Sequence, residues 1–206
     1  MDSITQLSEY FKKFPGIGER QARRFVYFIL RMNKSYSYEL IDLIKKVKEN
    51  TAQCNACYRY FPSNAGGFSV CDICSNPNTD KSILAIIEKD ADLSPIRSSG
   101  YKGSHFILGG LAPLMERTGH NIRLKELIKT IETRLVDANP PLKEIIIAMS
   151  LSPQGEHTDF FIRETLAPLQ SKYQFKISSL GRGISTGTEL EYVDSDTIRN
   201  ALKNRA

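Results

Sequence analysis

The cysteines constrain this chain more than any other feature. There are four, and they form two Cys-x-x-Cys pairs, Cys54/Cys57 and Cys71/Cys74, separated by thirteen residues. Two residues between thiolates let both reach one tetrahedral ion, and two such pairs complete a closed four-sulfur zinc site. Disulfides, a redox pair and four buried thiols are the alternatives. Disulfides suit an oxidising compartment, but the opening Met1-Asp2-Ser3 and the later Lys12-Lys13 lack the apolar core of a signal segment. A thioredoxin-type pair would stand alone after a strand, whereas these pairs are duplicated. The expectation is therefore one structural Zn2+ per chain and a cytoplasmic location. A closed site leaves no coordination position for water, so the ion would hold a fold together rather than catalyse.

At 206 residues the chain has room for one ordinary domain or two to three small modules. A metal staple in the first half favours modules, because small units without a full core use such staples. No apolar run approaches the roughly 20 residues needed to span a bilayer, so no membrane association is expected. The net charge of +5 is unevenly placed. The first fifty residues hold ten Lys and Arg against six Asp and Glu, a local excess of +4. Such asymmetry suggests a polyanion such as nucleic acid, while a solvated helix face is the plainer meaning of one basic run.

Helical spacing of Ile4, Leu7, Tyr10 and Phe11 predicts a helix over 3–13 after a Ser3 cap, and Ala22, Phe25, Val26, Ile29 and Leu30 predict another over 19–32. A third amphipathic helix is expected from Tyr38 to Asn50. Residues 63–67 read as a loop tip between the cysteine pairs. Beyond Asp80 short apolar runs (82–87, 105–108, 144–149, 175–178) alternate with helical stretches (90–98, 124–135, 158–169). That alternation predicts a largely parallel sheet.

Between the first two helices lies Phe14-Pro15-Gly16-Ile17-Gly18. Two glycines allow a sharp turn and leave the amides opening the next helix free to approach phosphate oxygens. Ile17 would fill the space between the helices. Arg20 and Arg24, one turn apart, would lie on one face and pair with successive phosphates. The structural alternative is an ordinary helix-helix turn. Backbone contacts of this kind would be independent of base sequence and sensitive to salt.

Two carboxylates follow apolar strands: Glu88 after Ile83–Ile87, and Glu156 in the loop after Ile145–Met149. Loops beyond the carboxyl ends of parallel strands are where such sheets bind ligands, so the two could face each other across a cleft, or simply be solvated. Three classes follow. One is a zinc-stapled DNA-binding protein; another is a magnesium-dependent nuclease or phosphoryl transferase; the third is a protein-interaction adaptor. Two-metal phosphoryl transfer needs more carboxylates than Ser150–Glu156 supplies.

The order of these pieces resembles the RecR family of bacterial recombination mediators. The resemblance rests on Phe14–Gly18, the four cysteines, Ile86-Ile87-Glu88-Lys89-Asp90-Ala91-Asp92, the stretch Tyr101–Leu114, and the tail Gly181–Asp194. It implies an α+β multi-module chain. Residues 1–53 would be a helix-hairpin-helix DNA-binding region, 54–78 a C4 zinc finger, 79–175 a Toprim domain with a largely parallel sheet, and 176–206 a tail motif and helix. It also implies a protein without catalytic activity of its own, a DNA clamp built as a homo-oligomer (dimer or tetrameric ring). Such a clamp would work with RecO and RecF to load RecA onto single-stranded DNA. Gly16, Gly18, Arg20 and Arg24 match the family's DNA-contact positions, and Glu88 and Asp92 match acidic positions that bind RecO. The chain departs from the family pattern in its longer inter-cysteine loop, in Ser150 and Gln154, and at Ser185 to Thr188 of the tail.

Overall fold

The architecture is that of a computed structural model, which describes residues 1–63, 69–114, 122–136, 140–181, 183–184 and 187–203. Most of the expected loop tip at 63–67, and Arg182, Ser185 and Thr186 of the tail motif, lie outside the described residues. Two compact units emerge, one built on Met1–Thr51, the other on Ala52–Phe61 and the described residues from Ser69 onward.

The first unit holds three helices, α1 (Ser3–Lys12), α2 (Glu19–Arg31) and α3 (Lys34–Glu49). α1 is capped by Asp2 rather than Ser3: its carboxylate accepts from Thr5 N at 3.0 Å and Thr5 Oγ1 at 2.8 Å. An ionised cap also complements the positive end of the helix dipole, which a serine does not. α3 starts ahead of the expected Tyr38 because Asn33 Oδ1 accepts from Tyr36 N at 2.9 Å and caps it. α1 and α2 pack through Ser8, Ala22 and Val26, all buried, with Phe11 meeting Phe25 edge to face at 5.5 Å. Leu30, expected on the apolar face, is exposed, and α3 buries none of its residues.

Most of a ribbon of β1 (Thr51–Gln53) and β2 (Tyr60–Pro62) belongs to the second unit and precedes the short helix α4 (Asp72–Ser75). Then come β3 (Asp80–Ile87), a 3-10 turn (Asp90–Asp92), α5 (Leu93–Ser98), β4 (Gly103–Ile107), α6 (Leu124–Val136), β5 (Glu144–Ala148), α7 (Pro153–Tyr173) and β6 (Lys176–Ser179). A second 3-10 turn (Leu190–Tyr192) and α8 (Ser195–Lys203) close the chain. The four long strands pair in the order β4-β3-β5-β6, every pair parallel. All four apolar runs are thus strands of one sheet.

Period-two alternation explains how unbroken apolar runs fit a sheet covered on both faces. Leu84, Ile86, Phe106, Ile145 and Ile147 point to one side, where Leu127 and Ile131 of α6 and Ile162 and Leu166 of α7 cover them. Ala85, Ile87, Ile107 and Ala148 point to the other, packing with Leu93 of α5 and with Tyr58 and Ile73 of the cysteine module. α7 begins at Pro153 rather than Thr158, because Ser152 Oγ accepts from Gly155 N at 3.1 Å and Pro153 suits the first helical position. A Cβ on Gly155 would stand 2.0 Å from Ser150 O, so only glycine lets the β5–α7 loop close this tightly.

Candidate metal centre and nucleic-acid interface

The four sulfurs lie within 4.8 Å of one another, and Cys54, Cys57 and Cys71 are buried. Cys57 Sγ and Cys71 Sγ are 3.7 Å apart. Around an ion with metal–sulfur bonds of about 2.3 Å, the edge of a sulfur tetrahedron is roughly 3.8 Å. Spacing and donor set therefore fit a tetrahedral thiolate-bound metal. A hydrogen bond from Cys57 holds the Cys71 thiol low, and the same bond, with Cys71 as acceptor, pushes Cys57 up. A cation would let all four ionise.

Local hydrogen bonds shape each pair. In the first, Tyr58 N donates to Cys54 O and Cys54 N to Arg59 O, both at 2.9 Å. The turn requires Tyr58 at φ 63°, a left-handed conformation that is rare for an aromatic residue and invisible to a search for Gly or Asn turns. In the second pair Cys71 leads into α4, and its amide donates to Cys54 Sγ at 3.3 Å. Asn55 N donating to Ser69 O at 2.8 Å and the Arg59–Asp72 ion pair at 3.0 Å tie the two pairs together.

The cysteine module is docked on the sheet. Ile107 N donates to Cys57 O at 2.8 Å, using an amide on the outer edge of β4. The Tyr58 ring stacks at a tilt on Phe106, 5.2 Å between centroids, beneath the Arg123 guanidinium at 5.5 Å. Tyr60 N donates to Asp90 Oδ1 at 2.8 Å. Sequence reasoning missed Tyr58, Arg59, Asp90 and Arg123. Position beside the cysteines, and beside Glu88 and Asp92, is the only signal that pointed to the first three. His105 on β4 is fully buried, and neither ring nitrogen has a hydrogen-bond partner among the described residues. Burial pulls its pKa down to about 4.

The acidic candidates are dispersed. Glu88 is half-buried with Lys89 Nζ 3.6 Å from its carboxylate. Asp92, also half-buried, accepts from Lys89 N at 3.2 Å and closes its own turn. Glu156 lies in the first turn of α7, not in a loop, and lines a small cleft with Ser150, Asp159 and Ser179 that Glu88 does not join. Among the described residues, the four cysteines form the only group of three or more His, Cys, Asp or Glu side chains spaced to hold a metal ion.

In the helical unit, Gly16 turns at φ 75° and Ile17 N closes the turn on Phe14 O at 3.1 Å. Ile17 is half-buried, consistent with a plug between helices. Gly18 caps α2 with no side-chain hydrogen bond, so the first-turn amides are not taken up by a cap. Arg20 and Arg24 are exposed on the outer face of α2 and, among the described residues, neither forms an ion pair. Arg31 extends the same face; its spacing from Arg20 and Arg24 was readable, and sequence reasoning passed over it. Glu19, which would repel phosphate, is instead paired with Arg23 at 2.9 Å.

The fold and the cysteine cluster together define a modular α+β protein in which a four-cysteine metal-binding module is built onto a small parallel sheet. Curated proteins with this sequence pattern span the whole chain. "Recombination protein RecR" of Legionella pneumophila subsp. pneumophila is 32% identical over 208 residues, covering 100% of this chain and 97% of that protein. The protein of the same name from Lactobacillus acidophilus is 31% identical, covering 98% and 96%, and that from Chlorobium limicola 31%, covering 99% and 96%. The family model described as "RecR, C-terminal" matches residues 183–206. The chain belongs to the RecR family of recombination proteins.

Proposed function

We propose that this chain is a DNA-binding recombination mediator that acts by geometry and partner recruitment rather than by chemistry of its own. The observation that carries the reading is the outer face of α2, where Arg20 and Arg24 stand exposed and, among the described residues, without ion pairs just beyond the Gly16–Gly18 turn. Phosphate oxygens would meet the uncapped amides at the start of α2 and these guanidiniums together. Zn2+ is the ion that four thiolates in a closed tetrahedral set select in proteins of this kind, and its role would be structural.

The mediator works as a homo-oligomer. Leu7, Tyr10 and Phe14 with Leu40, Ile41 and Ile44 of α3 line an apolar groove of about 760 Å³ in the helical unit. An apolar surface of that extent on a lone chain is an interaction site, and a second copy of the same unit is the occupant that builds a dimer or ring. Several weakly binding hairpins then act through avidity. Glu88 with Asp92 would receive RecO. With RecF, the assembly would help load RecA onto single-stranded DNA, in keeping with the relatives' name as recombination proteins.

Sedimentation of the zinc-loaded protein with and without DNA at several salt concentrations tests both halves. The reading expects an oligomer that co-sediments with DNA at low salt and releases it as salt rises. Ile41→Glu with Ile44→Glu should shift the protein toward monomer and weaken DNA binding with it. A monomer with salt-insensitive or absent DNA binding would overturn it.

A further inference from the structure

The outer face of α2 carries one residue that phosphate binding does not use. A step of 100° per residue puts Arg20, Arg24, Tyr27 and Arg31 in one stripe, opposite the buried Ala22 and Val26. Tyr27 stands between Arg24 and Arg31 with 54% of its surface exposed. Tyr27 lines a cleft with Ile4 and Thr5 of α1 and with Glu19 and Arg23 of its own helix. Phe28, the other exposed ring of α2, meets Tyr36 edge to face at 5.9 Å, whereas Tyr27 has no ring partner among the described residues.

We infer that Tyr27 is a base-stacking platform and that the α2 face is built for single-stranded DNA. This rests on the reading of α2 as the DNA-contacting face. An extended cationic stripe interrupted by an open aromatic ring is the arrangement that tracks a single strand: guanidiniums take successive phosphates while the ring takes the face of an unstacked base. At 1.5 Å per residue the stripe from Arg20 to Arg31 runs about 16 Å, enough to follow a few nucleotides. A duplex cannot use the ring in this way, because its bases are stacked on one another and present only their edges. Tyr27 thus sets the preference for DNA form, while Arg20, Arg24 and Arg31 supply affinity common to both forms.

The test uses the full zinc-loaded chain with an oligonucleotide and its duplex at one fixed salt concentration. Tyr27→Leu keeps an apolar side chain in the cleft and removes the aromatic face. It should lose about tenfold in affinity for the single strand and stay within about twofold of the parent on the duplex, whereas Tyr27→Phe should match the parent on both. The chain contains no tryptophan, so Tyr27→Trp places a lone tryptophan at the site; its emission, excited beyond the absorption of the tyrosines, should be quenched by the single strand and not by the duplex. Equal losses on both forms, or unchanged single-strand affinity in Tyr27→Leu, overturn the stacking role and leave the phosphate-binding reading standing. Emission indifferent to the single strand does the same. A parent protein that binds neither form overturns both.

Discussion

Removing the metal should open the cysteine module while leaving the sheet intact, and the structure says where the break falls. Without an ion, the segment Ala52–Phe61 is held to the sheet by a few interactions. Besides the apolar packing of Tyr58 on the sheet, they include the Ile107 N–Cys57 O bond, the bond from Tyr60 N to the Asp90 carboxylate, the Tyr58–Phe106 ring pair and the Arg123 cation over Tyr58. At typical strengths these amount to about 3–7 kcal/mol. Ordering the backbone of those ten residues costs about 10–20 kcal/mol. A structural zinc contributes about 10–16 kcal/mol, which is of the size of the shortfall. Chelation, or Cys54→Ser or Cys71→Ser, should therefore release the module. Amide hydrogen exchange read residue by residue is the assay. The amides of Asn55, Tyr58, Tyr60, Cys71 and Ile107 should lose protection, while those of Ile86 and Ile147 in the central strands keep theirs. If Ile107 stays protected in fully chelated protein, the module holds without metal and the reasoning is wrong.

Other outcomes follow from single residues. Arg20→Ala with Arg24→Ala should weaken duplex binding and reduce the slope of log affinity against log salt by about 1.8 per chain engaged; titration across a salt series reads it. Asp90→Ala leaves Tyr60 N without its acceptor and, since the bond is exposed, should lower stability by about 0.5–1.5 kcal/mol in denaturant melts. Gly155→Ala drives a methyl into Ser150 O and should cost about 1–3 kcal/mol. His105, held neutral by burial with its pKa near 4, binds fewer protons folded than unfolded, so stability is full above about 6.5 and falls as pH drops from there toward 4. Thermal melts at pH 7 and pH 5 should show that loss in the parent and a smaller one in His105→Leu.

Much of the fold was legible because its signals are local. The runs at 82–87, 105–108, 144–149 and 175–178 were unbroken apolar segments of strand length, and each became a strand of the parallel sheet. Cysteine spacing forecast the cluster because ligand geometry is a short-range constraint. Helix starts were less legible: the expected Ser3, Tyr38 and Thr158 starts each gave way to the upstream caps Asp2, Asn33 and Ser152, whose hydrogen bonds depend on which polar side chain reaches the free amides first. The docking of the cysteine module could not be read at all. It depends on a left-handed tyrosine, on one carbonyl meeting an edge-strand amide, and on an aspartate thirty residues beyond its partner, Tyr60. Periodicity likewise made α3 an amphipathic helix without revealing that none of its residues is fully buried by the described part of the chain.

The outer edge of β4 carries a wider consequence. A parallel sheet ending in an open strand offers unpaired main-chain groups to any other extended chain, which is a route to aggregation. Here the Cys57 carbonyl takes the Ile107 amide, and the Arg97 and Arg123 guanidiniums donate to the carbonyls of Gly103 and Ile107 at 3.2 and 3.0 Å. The cysteine module is thus part of what keeps the sheet from recruiting neighbours. Where the four-cysteine site goes unfilled, newly made chains would fail first by insolubility.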